Sequence, residues 1–392
     1  MPAAIDPFYA MDINLLAQRL EAEGRSVIHM EYGQPSGGAP AKAVAAAHRA
    51  LDAGGMGYWE SPALKARLSR HYREAYGLAV APERFVLTCG ASAALVLALS
   101  ECFDAGDEVA TARPGYVAYR NALKALHLKP VEIPCDAATR YQMTAARIAA
   151  LETPPKGVIL ASPANPTGTI IAPDELERIA AVCRAEGITA ISDEIYHGIS
   201  YAAPAETILK FDPNAFVLGS FSKYFGMTAW RLGWLLAPPD KIARARAIVG
   251  NLFLTAPTLS QHAALAAFED RDELEARIRV YKRNRDLMLA ALPRLGLDRI
   301  APPDGAFYIY ADVRHLTDDS LAFCKRLLVE TGVATAPGID FDPDAGRHHI
   351  RFSFALATAD LEEALDRLEP WFATRAGKRK TENAAAIRIT RE

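Results

Sequence analysis

Apolar residues along this chain follow two rhythms. Short runs at 85–88, 108–112, 131–133, 158–160, 188–192, 215–219 and 232–237 are too brief for helices and are bounded by Gly, Pro, Ser or charged residues, so they predict strands. Between them, 12–23, 41–51, 63–76 and 93–103 carry apolar positions three and four apart, the spacing of one helix face. A further helix opens at Pro173, carries Asp174, Glu175 and Glu177 in its first turns and stops at Gly187. Strands alternating with helices predict an α/β sheet with parallel strands. Beyond Pro239 the pattern is largely helical to about residue 292, where Pro293 and Gly296 end it. A strand at 305–313, a helix at 320–331, strands at 333–336 and 349–355 and a helix at 360–372 then form a smaller α+β part. The chain is therefore divided into a large domain, 43–289, and a small one, 290–375 with the N-terminal arm 1–42. Residues 376–392 lack apolar periodicity and are expected to be a solvated tail.

Composition narrows the function classes. A chain of 392 residues with 51% hydrophobic and 23% charged residues is a large globular protein. Its net charge of −3 provides no broad field for nucleic acid, and no segment approaches the length of a membrane span. Cys89, Cys102, Cys135, Cys183 and Cys324 are scattered, odd in number and without a C-x-x-C, which fits a reducing cytoplasm and calls for no metal. The first eight residues, Met1 to Phe8, have neither the basic nor the apolar region of an export signal.

The candidate chemistry centres on Lys223. It follows the apolar run 215–219, with Ser220 and Ser222 just before it and Arg231 eight residues on. An ammonium at the mouth of a buried strand must be partnered or deprotonated, and a neutral amine forms a Schiff base with an aldehyde. Two hydroxyls and a guanidinium at fixed offsets are donors for a phosphate. Together they suggest pyridoxal phosphate. Gly90-Ala91-Ser92, between a strand and a helix, is either a plain turn or an anion site at a helix N-terminus. Asp193 ends a strand, as a turn residue or as a buried carboxylate. In 349–355, alternation puts Arg351, Ser353 and Ala355 on one face and Ile350, Phe352 and Phe354 on the other. The rigid fork of Arg351 suits a carboxylate.

Two further stretches, Ser162-Pro163-Ala164-Asn165-Pro166-Thr167-Gly168 and Ser192-Asp193-Glu194-Ile195-Tyr196, precede the Lys223 to Arg231 segment and complete a pattern. With these motifs and their spacing the sequence resembles the class I/II aminotransferases of PLP fold type I, from about residue 32 to about residue 351. The resemblance implies a large domain with a mainly parallel seven-stranded sheet flanked by helices, plus a smaller α+β domain. It implies catalytic roles for Lys223, Asp193 and Tyr196. Asp193 would keep the pyridine nitrogen protonated, and Tyr196 and Asn165 would share the ring oxygen. Tyr116 would stack on one ring face, with Tyr119 as the alternative core residue, and Ile195 would pack on the other. Ala91, Ser92, Ser220, Ser222 and Arg231 would hold the phosphate. Arg351, Asn165 and the backbone at Gly33 would meet the substrate carboxylate. Tyr58 matches a tyrosine that reaches the phosphate of the neighbouring subunit, which implies a homodimer with shared sites. Ala93 and Ala229 depart from common family choices without removing a required group.

The function this implies is transfer of an amino group between an α-amino acid and a 2-oxo acid in two stages, with pyridoxal 5'-phosphate as cofactor. Two alternatives stand beside it: a C–S β-lyase on the same scaffold, and a PLP-sensing regulatory module, whose relatives usually carry a DNA-binding domain that is not seen before Tyr32.

Overall fold

The structure is a computed structural model and describes residues 4–389, without the side chains of 376–389. Helix α1 (Tyr9–Ala22) and strand β1 (Ile28–Met30) come first and belong to the smaller of two compact units. The larger unit comprises Gln34–Ile278 with Asp304–Ala306 and a short N-terminal piece that includes Asp6. Its elements are α2 (Ala41–Ala53), α3 (Pro62–Tyr76), β2 (Phe85–Thr88), α4 (Ala91–Cys102), β3 (Glu108–Arg113), α5 (Val117–Ala125), β4 (Lys129–Pro134), α6 (Ala145–Ala149) and β5 (Gly157–Ala161). Then follow α7 (Pro173–Glu186), β6 (Thr189–Asp193), β7 (Phe216–Ser220), β8 (Gly233–Leu236), α8 (Ile242–Leu252) and α9 (Thr258–Ala267).

The seven strands order as β2-β8-β7-β6-β5-β3-β4, and only β8 runs against its neighbours. Successive side chains of the central strands enter two different cores. Val158, Leu160, Ala190 and Val217 pack with α2, α3, α7 and α9 residues on one face, while Ile159, Ile191, Phe216 and Leu218 pack with α4, α5 and α8 residues on the other. A strand covered on both faces needs apolar residues at every position, which is why these strands read as continuous runs. Helix ends follow local chemistry. Ser61 caps α3 by accepting from Leu64 N–H, Pro62 stands at its start, and Gly77 leaves it in the left-handed conformation. Pro173 and Gly187 bracket α7 in the same way.

Strand order fixes where a ligand can sit. The chain passes β3 to β4 toward one edge, then returns to β5 and proceeds through β6 and β7 toward the other. The reversal lies between β3 and β5, and the crevice beyond the carboxyl ends of strands at such a reversal is where open α/β sheets bind ligands. One element differs from the sequence pattern. The sequence pattern predicts no helix between the strands at 108–112 and 131–133, yet α5 follows Arg113 closely, so Tyr116 stands at its N-cap and Tyr119 inside its first turn.

The smaller unit comprises Pro7–Gly33, Arg279–Pro303 and the chain from Phe307 onward. Its elements are α1, β1, most of α10 (Arg271–Ala291), β9 (Tyr308–Asp312), α11 (Ser320–Thr331), β10 (Val333–Pro337), β11 (His349–Ser353) and α12 (Thr358–Ile389). The strands order as β1-β10-β11-β9, with β1 parallel to β10 and the other pairs antiparallel. Asp340 completes α1 by accepting from Tyr9 and Ala10 N–H at 2.7 and 2.8 Å, a cap that Phe8 does not provide. The two units divide after Gly33 and after Ile278, where sequence punctuation placed the boundaries at 42/43 and 289/290. The second division falls inside α10, a continuous helix with no break for the sequence to show. Helix α12 runs past the expected end at residue 372, and the solvation expected of 376–392 lies outside the described side chains.

Candidate active site

The carboxyl ends of the parallel strands gather the chemistry-bearing residues of the larger unit. Register brings Ala161 at the end of β5 beside Asp193 at the end of β6, and Ser220 at the end of β7 beside Gly233 of β8. The turns that leave these ends carry Asn165, Tyr196 and Lys223, and the turn after β3 carries Tyr116.

Asp193 is 5% exposed and deeply buried. The Tyr119 phenol donates to its Oδ2 at 2.6 Å, and Ile195 N–H donates to its Oδ1 at 3.2 Å. Burial pushes its pKa up to about 6, while the Tyr119 and Ile195 donors and the charge of Lys223 pull it down. The carboxylate is thus held in a dry place with donors on both oxygens and one cation in its field. Tyr196 and Asn165 are also buried, and Lys223 Nζ stands 5.8 Å from the centre of the Tyr196 ring. The Tyr116 ring meets Tyr119 edge-on with centroids 5.6 Å apart. Tyr119 therefore links the predicted stacking residue to the predicted acid. Its spacing of three from Tyr116 was the available signal, because that spacing places both on adjacent turns of a helix.

The start of α4 is the candidate anion cradle. No side chain caps this helix at Gly90, which adopts φ +83 and ψ 172. A Cβ at Gly90 would lie 2.6 Å from Arg231 Nη2, so the bare turn and the guanidinium are in direct apposition. Arg231 itself sits at φ 50 in the left-handed region, a strained choice for a residue with a side chain, and its Nη1 donates to Thr228 O at 3.0 Å. Ser220 Oγ accepts from Ser222 N–H at 3.0 Å, which ties the two serines together. Ala91 and Ser92 form the first turn of α4, and Ser92 is exposed. An uncapped helix start facing a guanidinium fits a phosphate group.

Arg351 and Gly33 belong to the smaller unit. Arg351 is 2% exposed, and both faces of β11 are buried, so the strand has no solvent side. Its guanidinium carbon lies 4.6 Å from the Tyr308 ring centre and 4.7 Å from that of Phe341, within cation–π range of both. Arg351 Nη2 also donates to the Glu31 carbonyl, two residues before Gly33. A Cβ at Gly33 would lie 1.9 Å from the Tyr308 hydroxyl, so only glycine admits that approach. Tyr308 and Phe341 carry no sequence motif that points to Arg351. Tyr58, in the larger unit, is 81% exposed and so is not a core tyrosine in this chain.

Comparison with known proteins places the chain in a family. The family described as Aminotransferase class I and II matches residues 25–368. The valine–pyruvate aminotransferase of Mycobacterium tuberculosis is 46% identical over 94% of this chain and 97% of its own. The arginine–pyruvate transaminase of Pseudomonas aeruginosa is 32% identical over 92% of this chain and 93% of its own. The crystal structure of an aminotransferase from Mycobacterium tuberculosis superposes with a TM-score of 0.93 at 46% identity, covering 95% of this chain and 98% of that one. The fold expected from the motifs, a mainly parallel seven-stranded sheet of the PLP fold type I kind with a smaller α+β unit, is the fold observed. With its profile matched from residue 25 to residue 368, the chain belongs to the class I and II aminotransferases and moves an amino group between an amino acid and a 2-oxo acid.

Proposed function

We propose that this aminotransferase works with pyridoxal 5'-phosphate held in the larger unit, through a two-stage exchange in which a donor amino acid leaves as its oxo acid before the acceptor binds. When bound, the cofactor supplies an electron sink for the amino acid Cα. The remaining roles belong to side chains of this chain. Asp193 presents a carboxylate to the ring nitrogen. Tyr196 and Asn165 donate to the ring oxygen, Tyr116 covers one ring face and Ile195 the other. Ala91 N–H, Ser92, Ser220, Ser222 and Arg231 hold the phosphate. Lys223 Nζ moves the Cα proton as general acid and base. Arg351, Asn165 and the backbone at Gly33 receive the substrate carboxylate.

The observation that carries this reading is the state of Asp193: buried, doubly hydrogen-bonded and in the field of Lys223 at the mouth of parallel strands. The names of the two pyruvate-using relatives support pyruvate as acceptor and an amino acid such as valine as donor. A homodimer with Tyr58 serving the second copy is supported by the exposure of Tyr58 with Leu51, Leu252 and Leu254 at 54, 62 and 57%. A cytoplasmic setting is supported by five free cysteines. The test is to load the protein with pyridoxal 5'-phosphate, treat it with borohydride and map the label. It should fall on the peptide containing Lys223, and Lys223→Ala should lose turnover of valine with pyruvate. An unlabelled protein, or full activity in the variant, would sink the reading, and an active monomer in light scattering would sink the shared site.

A further inference from the structure

The paired register of β5 and β6 stops at Ala161 and Asp193, followed by one long bond from Ser162 N–H to Asp193 O at 3.4 Å. Beyond that point the chain must deliver Asn165 from one turn and Tyr196 from the other, with no ladder between them to set their spacing. The buried ring of His197 bridges this gap. Its Nε2 lies 3.0 Å from the Ser162 carbonyl, and its Nδ1 lies 2.8 Å from the Tyr76 hydroxyl at the end of α3. A carbonyl can only accept, so Nε2 carries the proton, and a neutral ring leaves Nδ1 to accept from the phenol. Burial first, with the nearby His71 adding to it, pushes the His197 pKa down to about 3 and keeps the ring neutral. The tautomer is therefore fixed by its two neighbours, as a ring used for alignment requires.

We propose that His197 is a positioning residue: its Nε2–H bond to the Ser162 carbonyl, oriented by Tyr76, holds the Asn165 turn in register with the Tyr196 turn so that amide and phenol meet one ligand oxygen. The proposal rests on the cofactor reading above and adds a residue that touches neither cofactor nor substrate. Its neighbour in sequence, Tyr196, bears the load directly; His197 fixes where that load is borne.

Three variants separate this role from simple packing. His197→Gln keeps an amide donor near the Nε2 position, His197→Asn is too short to reach Ser162, and Tyr76→Phe removes only the orienting bond. Each is titrated as apo-protein with pyridoxal 5'-phosphate. Cofactor affinity, the pH midpoint of the bound cofactor's absorbance, and kcat and KM for valine are then measured. His197→Asn should weaken cofactor binding and lower kcat, each by about tenfold, with KM nearly unchanged, because small misplacements of reacting groups act on the rate. His197→Gln should recover most of both, and Tyr76→Phe should fall between. If Gln is as impaired as Asn, or if Asn lowers the melting temperature but leaves affinity and pH midpoint alone, the positioning role is overturned. Failure of the wild-type protein to take up the cofactor would overturn the proposal together with the reading beneath it.

Discussion

The hydroxyl of Tyr119 donates to Asp193 Oδ2 across 2.6 Å, joining the first turn of α5 to the end of β6. This bond opposes the burial that drives the Asp193 pKa up to about 6. Removing it in Tyr119→Phe leaves a carboxylate with one donor fewer in the same dry place, so its pKa rises further. A hydrogen bond to a charged group is worth about 1.5–3 kcal/mol, so the acid limb of kcat/KM for the amino acid should move up by about one pH unit or more. A pH–rate profile of the variant that overlays the wild type would show that Tyr119 does not tune Asp193.

Gly90→Ala tests the anion cradle. The new Cβ would meet Arg231 Nη2 at 2.6 Å, and φ +83 with ψ 172 is a conformation only glycine adopts readily. The strain is about 1–3 kcal/mol, and relief requires the guanidinium to move. The variant should bind pyridoxal 5'-phosphate at least about tenfold more weakly, while its affinity for pyridoxal, which lacks the phosphate, stays close to wild type. Equal losses for both compounds would mean that the turn does not serve the phosphate.

Arg351→Lys should separate substrate from cofactor. The guanidinium carbon lies within 4.7 Å of the ring centres of both Tyr308 and Phe341, and an ammonium neither packs on aromatic rings as a guanidinium does nor offers a planar fork to a carboxylate. Losing a charge-assisted bidentate contact costs about 2–3 kcal/mol, or roughly 30- to 150-fold in kcat/KM for the amino acid. Cofactor uptake should be unchanged. Steady-state kinetics with cofactor titration checks both, and an unaltered kcat/KM would remove Arg351 from the substrate's partners.

The parts of this architecture that depend on burial were legible in the sequence, and the parts that depend on long-range apposition were not. The runs around Ile159, Ile191 and Val217 announce strands because both sheet faces are covered and every position must be apolar. Helix α11 is bracketed by Asp319, which accepts from Ala322 N–H, and by left-handed Gly332, and both signals are local. Tyr119 and Asp193 are 74 residues apart, and nothing periodic links them. The same is true of Arg351 and its aromatic walls, since alternation along β11 assigns faces but does not tell what covers each face. Helix α5 is masked in the sequence by Pro114 and Gly115, which read as turn residues although the helix begins two residues later.

Glu194, next to Asp193, offers a pH signature independent of catalysis. It is fully buried, its Oε1 accepts from Thr207 Oγ1 and Ile208 N–H at 3.0 Å each, and burial above all pushes its pKa up to about 8. The unfolded chain releases this proton near pH 4.5, whereas the folded chain keeps it until about pH 8. Between those values the folded state holds one proton more, so rising pH draws stability away, by up to about 1.4 kcal/mol per pH unit, and the loss levels off above pH 8. Glu194→Gln retains an oxygen for Thr207 and Ile208 and has no proton to lose. Apo-protein unfolded in urea at pH 5.5 and pH 8 should show the variant gaining on the wild type as pH rises. Parallel pH dependence in the two proteins would mean that Glu194 ionises in the folded state at an ordinary pH, and that the dry pocket inferred around the 193–194 pair is wet.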